Sequence, residues 1–229
     1  MNKQSANNYR RILRATTVAM GLILFIATTI SCNQENQQTM DNTQNTPDAV
    51  MNNIMSRKSV RSYNDDSIPT EVIQSLLKAA MAAPSGMDVR PWRFVVLTDK
   101  SKYDTIFAGN FNLDKFKDAA VVIVLCADTT VTRAPRENPD GPAVTRPNDI
   151  WRDDMGACTE NLLLAAEAYG LGAVWTACYP FADRMHPLKE CLGLPENVVP
   201  YAVVPIGYPD TDNQPKDKWN PDNIHYERW

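Results

Sequence analysis

The 229 residues carry 44% hydrophobic and 8% aromatic side chains, ordinary values for a globular protein, and the length suits one domain burying roughly 70% of its unfolded surface. Formal net charge is −4; residues 1–31 hold Lys3, Arg10, Arg11 and Arg14 and no acid, so the chain beyond them stands at −8. Such an acidic balance argues against a nucleic-acid partner and leaves any bound phosphate to a local basic cluster.

At the N-terminus, four cations precede an apolar run over residues 18–30. A helix of 13 residues spans about 20 Å, short of the roughly 30 Å hydrocarbon core, so the run reads as a signal peptide rather than a membrane span. Thr29-Ile30-Ser31-Cys32 resembles a bacterial lipobox, with Thr29 where Leu is usual. It implies an exported protein held at a membrane surface through a lipid on Cys32; a plain secretory signal is the alternative. Tyr9-Arg10-Arg11-Ile12-Leu13-Arg14 resembles a twin-arginine export signal and fits an ordinary basic flank as well. The organisation expected is therefore signal peptide 1–31, tether 32–48 and folded domain 49–229. Residues 33–48, rich in Asn, Gln and Thr, have little to bury and reach about 20 Å as a coil.

The domain opens near Thr46-Pro47, a cap followed by Pro at the first helical position, with Val50, Ile54 and Met55 on one face. A second helix follows Pro69, where Val72, Ile73, Leu76, Leu77 and Ala80 keep helical spacing up to Pro84-Ser85-Gly86. Residues 94–97 read as a short buried strand and 119–127 as a central one, being almost continuously apolar. Residues 128–150 hold four prolines and little periodicity, as in a long functional or mobile loop. The longest helix is predicted over 152–169, with Gly170 as its stop. Strands at 173–177 and 201–206 flank a helix over 182–191, so the class is α+β, helices around a central sheet.

Four cysteines follow Cys32, with no spacing that suggests a disulfide framework or a metal site; buried free thiols are expected for Cys126 and Cys158. His186 and His225 stand alone, and no metal site is predicted. Trp92, Trp175, Tyr169 and Tyr201 read as core, whereas Trp151, beside the long loop, is a candidate substrate platform.

Three segments have the chemistry of an anion or ligand site. Arg57-Lys58-Ser59-Val60-Arg61 places three cations and a hydroxyl within five residues, enough for a phosphate monoester of about −1.5 to −2 charge. Ala83-Pro84-Ser85-Gly86, leading to Pro91-Trp92, is a rigid turn with free backbone groups. Lys216 and Lys218, two apart in an extended stretch, point the same way and can reach the phosphate held by Arg57 and Arg61. Each segment alone is equally a solvated turn or tail.

Taken in order, RKSVR at Arg57, APSG at Ala83, PWRFVV at Pro91, ENLLLAAEAYGLGAVW at Glu160, VVPIGYP at Val203 and KDKW at Lys216 resemble the nitroreductase family over nearly all of residues 51–229. The resemblance implies an α+β fold with a central, mostly antiparallel sheet surrounded by helices, assembled as an intertwined homodimer with two FMN sites at the interface. It implies that Arg57, Lys58, Ser59 and Arg61 contact phosphate, ribityl chain and ring, and that Lys216 and Lys218 complete the phosphate site. Pro84, Ser85 and Gly86 would reach the ring from the other subunit, and Trp175-Thr176 would offer backbone groups beside it. NAD(P)H would reduce FMN, leave, and be replaced on the same face by a nitroaromatic, quinone or similar flat acceptor, with no side-chain acid or base in a catalytic role. Asp88 and Arg90 stand where the family motif has Asn and Gln. Asp88 is thereby expected near the ring, opposing its reduction, with Arg90 placed to cancel the charge. Two other functions fit the same residues: an exported FMN enzyme with a non-nicotinamide donor, and a flavin-binding lipoprotein without turnover.

Overall fold

The computed structural model describes residues 46–103 and 116–229. The expected signal peptide 1–31, the Cys32 anchor and the tether as far as residue 45 lie outside the described residues. The chain divides into two compact units, Met1–Asn52 and Asn53–Trp229. Of the first, only the opening turns of helix α1 (Thr46–Ser56) are described. The second contains the sheet and both apolar clusters.

The central strand is β2 (Val121–Asp128), flanked antiparallel by β1 (Trp92–Leu97) and, on its other edge, by β7 (Val198–Gly207). On β7's far side pair two short strands, β5 (Gly172–Ala173) and β6 (Thr176–Ala177). Seven of the eight β2 residues are buried because both faces are covered, which is what its unbroken apolar run requires. Alternation then sorts them. Val121, Ile123, Leu125 and Ala127 join Leu76 and Ala80 of α2 (Thr70–Met81) and Met155, Cys158 and Leu162 of α3 (Trp151–Ala168). Val122, Val124 and Cys126 face the opposite way, toward Val60, Tyr63, Tyr103, Cys178 and Leu188, the last from α4 (Ala182–Cys191).

Helix α3 ends as its sequence suggests. Gly170 takes φ +69, its N–H meets the Glu167 carbonyl and the Leu171 N–H meets that of Ala166, a Schellman closure. Opposite the step from Leu125 to Cys126, β7 contains an extra residue, Tyr201. This bulge, beside Pro200, turns the Tyr201 carbonyl toward two donors, the N–H groups of Cys178 and Tyr179.

Four expectations are corrected. Residues 128–150 are not all loop: β3 (Thr130–Arg133) pairs antiparallel with β4 (Val144–Pro147), and Thr132 and Thr145 join hydroxyls at 2.7 Å. The β-branched residues of two four-residue strands outweigh the prolines, most of which sit in the connection. The expected strand 173–177 is interrupted at Val174-Trp175, which separates β5 from β6. Trp151 is not a platform. It is buried, packs edge-on against Tyr179 at 4.9 Å and Tyr201 at 6.1 Å, and lies under the Arg152 guanidinium. Tyr169, expected in the core, is half exposed because it caps α3. All four described cysteines are free; Cys126, Cys158 and Cys178 are buried, Cys191 exposed.

Candidate functional site

The basic segment after α1 is fixed to the sheet's edge. Ser59 forms a parallel bridge with Ala173, the Val60 N–H donates to the Ala173 carbonyl at 3.0 Å, and Tyr63 bridges Pro209. The buried Tyr63 hydroxyl donates to the Val60 and Pro205 carbonyls, and burial pushes its pKa well above the usual phenol value. Val60 and Tyr63 come so close to Gly172 and Gly207 that a Cβ at either glycine would overlap them. Two apolar anchors thus hold a short segment from which Arg57, Lys58, Ser59 and Arg61 reach a common space.

Those four line a cavity of about 410 Å³ together with Asn213, Gln214, Lys216 and Lys218. The structure therefore brings both ends of the folded domain to one basic pocket. Two cations are oriented from α3: Arg57 Nε lies 3.3 Å from Glu160 Oε1, and Lys58 Nζ lies 3.3 Å from Glu167 Oε1. Among the described residues, Arg61, Lys216 and Lys218 take no ion pair. Five cations against two carboxylates leave a local surplus of three positive charges on an acidic chain, which suits a phosphate monoester. Asn213, Gln214, Glu160 and Glu167 were not singled out from the sequence. The two glutamates could have been, since their spacing of seven puts them on one face of α3.

Trp175 and Thr176 stand at the interruption beside β7. Thr176 pairs with Val203, and the Trp175 ring lies 5.6 Å from that of Tyr201. Pro84, Ser85, Gly86 and Asp88 are not among the residues lining the basic cavity; they form a separate turn between α2 and β1. Met87, Asp88 and Arg90 there all have positive φ, near 55°. Two contacts hold this strained path: Ser85 Oγ accepts from the Arg90 N–H, and the Gly86 N–H donates to Asp154 Oδ1 at 2.8 Å. A Cβ on Gly86 would land on Ile150 Cδ1.

Arg90 grips Asp88 with both arms, Nε to Oδ1 at 2.6 Å and Nη2 to Oδ2 at 2.7 Å. That bond and the guanidinium charge hold the Asp88 carboxyl below its usual range. Asp154, on α3, is 5% exposed, and its Oδ2 has no partner among the described residues. Burial raises its pKa; the Gly86 N–H opposes this and the Asp153 charge adds to it.

An antiparallel sheet between helical layers, with a basic pocket at its edge, places the chain among α+β proteins equipped to hold a phosphorylated ligand. The comparisons make the assignment specific. The model of the Nitroreductase family matches residues 54–109 and 101–208, and the chain belongs to that family. A protein of Archaeoglobus fulgidus provisionally named NADH dehydrogenase/NAD(P)H nitroreductase is 38% identical over 179 residues, 77% of this chain and 96% of the relative. The crystal structure of a Bacteroides thetaiotaomicron protein with the same provisional name is 41% identical at a TM-score of 0.70, covering 79% of this chain and 98% of the other. A provisionally named nitroreductase from Desulfovibrio desulfuricans, solved in complex with FMN, is 27% identical at a TM-score of 0.64, covering 79% and 97%.

Proposed function

We propose that the protein is a homodimer that uses NAD(P)H to reduce flat, electron-poor acceptors such as nitroaromatics and quinones. The basic cavity carries this reading, since it gathers Arg57, Lys58, Ser59, Arg61, Lys216 and Lys218 around a space with the charge to hold a phosphate. Bound FMN supplies the hydride chemistry, with donor and acceptor alternating on one face in ping-pong order. The chain's own residues bind and orient. The cations hold the phosphate, and Glu160 and Glu167 keep Arg57 and Lys58 extended toward it. Backbone groups at Trp175-Thr176 would lie beside the ring. Pro84, Ser85 and Gly86 of the partner subunit would contact the ring and shield it from water. No side chain needs to give or take a proton. The relatives' names support the nicotinamide donor.

The apolar run 18–30 and Ser31-Cys32 support export and a lipid anchor, hence a place at a membrane surface. The same feature favours a second reading, in which a quinol or protein partner is the donor, because free nicotinamide nucleotide is scarce outside the cytoplasm. An anaerobic stopped-flow experiment on the yellow, purified dimer tests both. Bleaching of the flavin by NADH or NADPH is the expected result. Bleaching by a quinol alone would replace the donor, and no bleaching by either would reduce the protein to a flavin carrier.

A further inference from the structure

The β3–β4 hairpin opens a second cavity, of about 460 Å³, remote in character from the phosphate pocket. Met87, Val131 and Ile150 give it an apolar wall, and Arg136 and Arg146 bring two guanidinium groups to it. Among the described residues neither arginine has an ion pair, and Asp149 is the single carboxylate in the lining. Arg133 Nη2 lies 2.7 Å from Met87 Sδ, on the apolar wall. Asn148, also in the lining, is 4% exposed, and its Nδ2 has no partner among the described residues. On an acidic chain, two unpaired guanidiniums over an apolar wall are a built complement to a flat ligand bearing a carboxylate, since guanidinium binds carboxylate in matched planar geometry.

The cavity's place tells which ligand this is. Met87 follows Gly86, and Ile150 is the residue on which a Gly86 Cβ would land. The wall of the cavity therefore adjoins the Pro84–Gly86 turn, the turn placed at the flavin ring in the reading above. A ligand lying on Met87 and Ile150 stands at the acceptor's side of that turn. At this volume it can be a substituted single ring, and a whole nicotinamide dinucleotide is too large.

We propose that this cavity is an acceptor subsite selective for aromatic acceptors that carry a carboxylate, with Arg136 and Arg146 gripping the anion and Met87 and Ile150 supporting the ring. The proposal rests on the reading of the protein as an FMN-dependent reductase, and it deepens that reading by naming the acceptor class.

The test uses the FMN-loaded protein and the variants Arg136→Ala and Arg146→Ala. Benzoate binding is measured by calorimetry, which needs no turnover, and kcat/KM is compared for 4-nitrobenzoate and 4-nitrobenzamide. Losing one charge-assisted hydrogen bond should weaken benzoate by about tenfold or more and lower the carboxylate-to-amide ratio by a similar factor in each variant. Benzoate affinity and ratio unchanged in both variants overturn the proposal. A change confined to NADPH over NADH also overturns it, by assigning the arginines to the donor's phosphate. If benzoate binding depends on the arginines while neither nitro compound is reduced, the carboxylate site stands and its acceptor role falls with the reductase reading.

Discussion

Replacing Asp154 by Asn should make the protein more stable at neutral pH, and the gain should fade as the solution is acidified. Asp154 is buried, and one of its oxygens accepts from the Gly86 N–H while the other has no partner among the described residues. Burial, with the Asp153 charge beside it, raises its pKa in the folded chain. A carboxyl with a raised folded pKa contributes its full stability below the unfolded value of about 3.9 and loses it as pH rises through the folded one. At pH 7 its charge therefore works against folding. Asn keeps an oxygen for Gly86 and removes the charge, although its amide leaves an unpaired donor in the same place. A buried unsatisfied polar group costs about 1–3 kcal/mol and a charged one more, so the difference should be about 1 kcal/mol. For a domain of this size that is roughly 2–4 °C in Tm. Urea unfolding at fixed, saturating FMN from pH 4 to 8 measures it. Asp154→Leu, which also strips Gly86 of its acceptor, should be destabilised by about 1–3 kcal/mol by comparison with Asn. A gap between Asn variant and wild type that does not vary with pH, or an Asn variant less stable at pH 7, refutes the argument.

Four further outcomes are expected. Lys218→Ala and Arg57→Ala should each weaken FMN about ten- to a hundredfold, with Arg57→Ala the worse because it bares Glu160; equilibrium dialysis or flavin fluorescence reads both, and unchanged retention removes the phosphate site. Gly86→Ala should lose about 1–3 kcal/mol through its clash with Ile150, and Ile150→Ala in the same chain should recover part of it. Asp88→Asn, which leaves Arg90 uncompensated, should raise the flavin potential, and Arg90→Gln should lower it; in a dye-coupled titration, shifts under roughly 10 mV would put the pair away from the ring. Cys32→Ala should abolish lipid labelling in cells, and an unmodified Cys32 found by mass spectrometry in the wild type would end the anchor proposal.

The sequence by itself determined the layout. An unbroken apolar run announced β2 because a strand buried on both faces has no polar side to display. Gly170 announced the end of α3 because only a residue tolerant of positive φ closes a Schellman turn cheaply. The cations at 57–61, 216 and 218 were visible as chemistry, and their order among the other motifs pointed to one family. Tertiary structure decided what periodicity cannot express. That Arg57 and Lys218 share a cavity depends on Val60 and Tyr63 docking against Gly172 and Gly207, a contact across more than 100 residues. Asp154 carries no mark in the sequence; packing encloses it and joins it to the Gly86 turn. Trp151 changed from platform to core for the same reason: the bulge at Tyr201 brings a second ring against it. The β3–β4 hairpin was hidden because its strands are too short for a period to show. Local pattern reports what a segment prefers, but which distant side chains meet is set by the packing of the whole sheet and its helices.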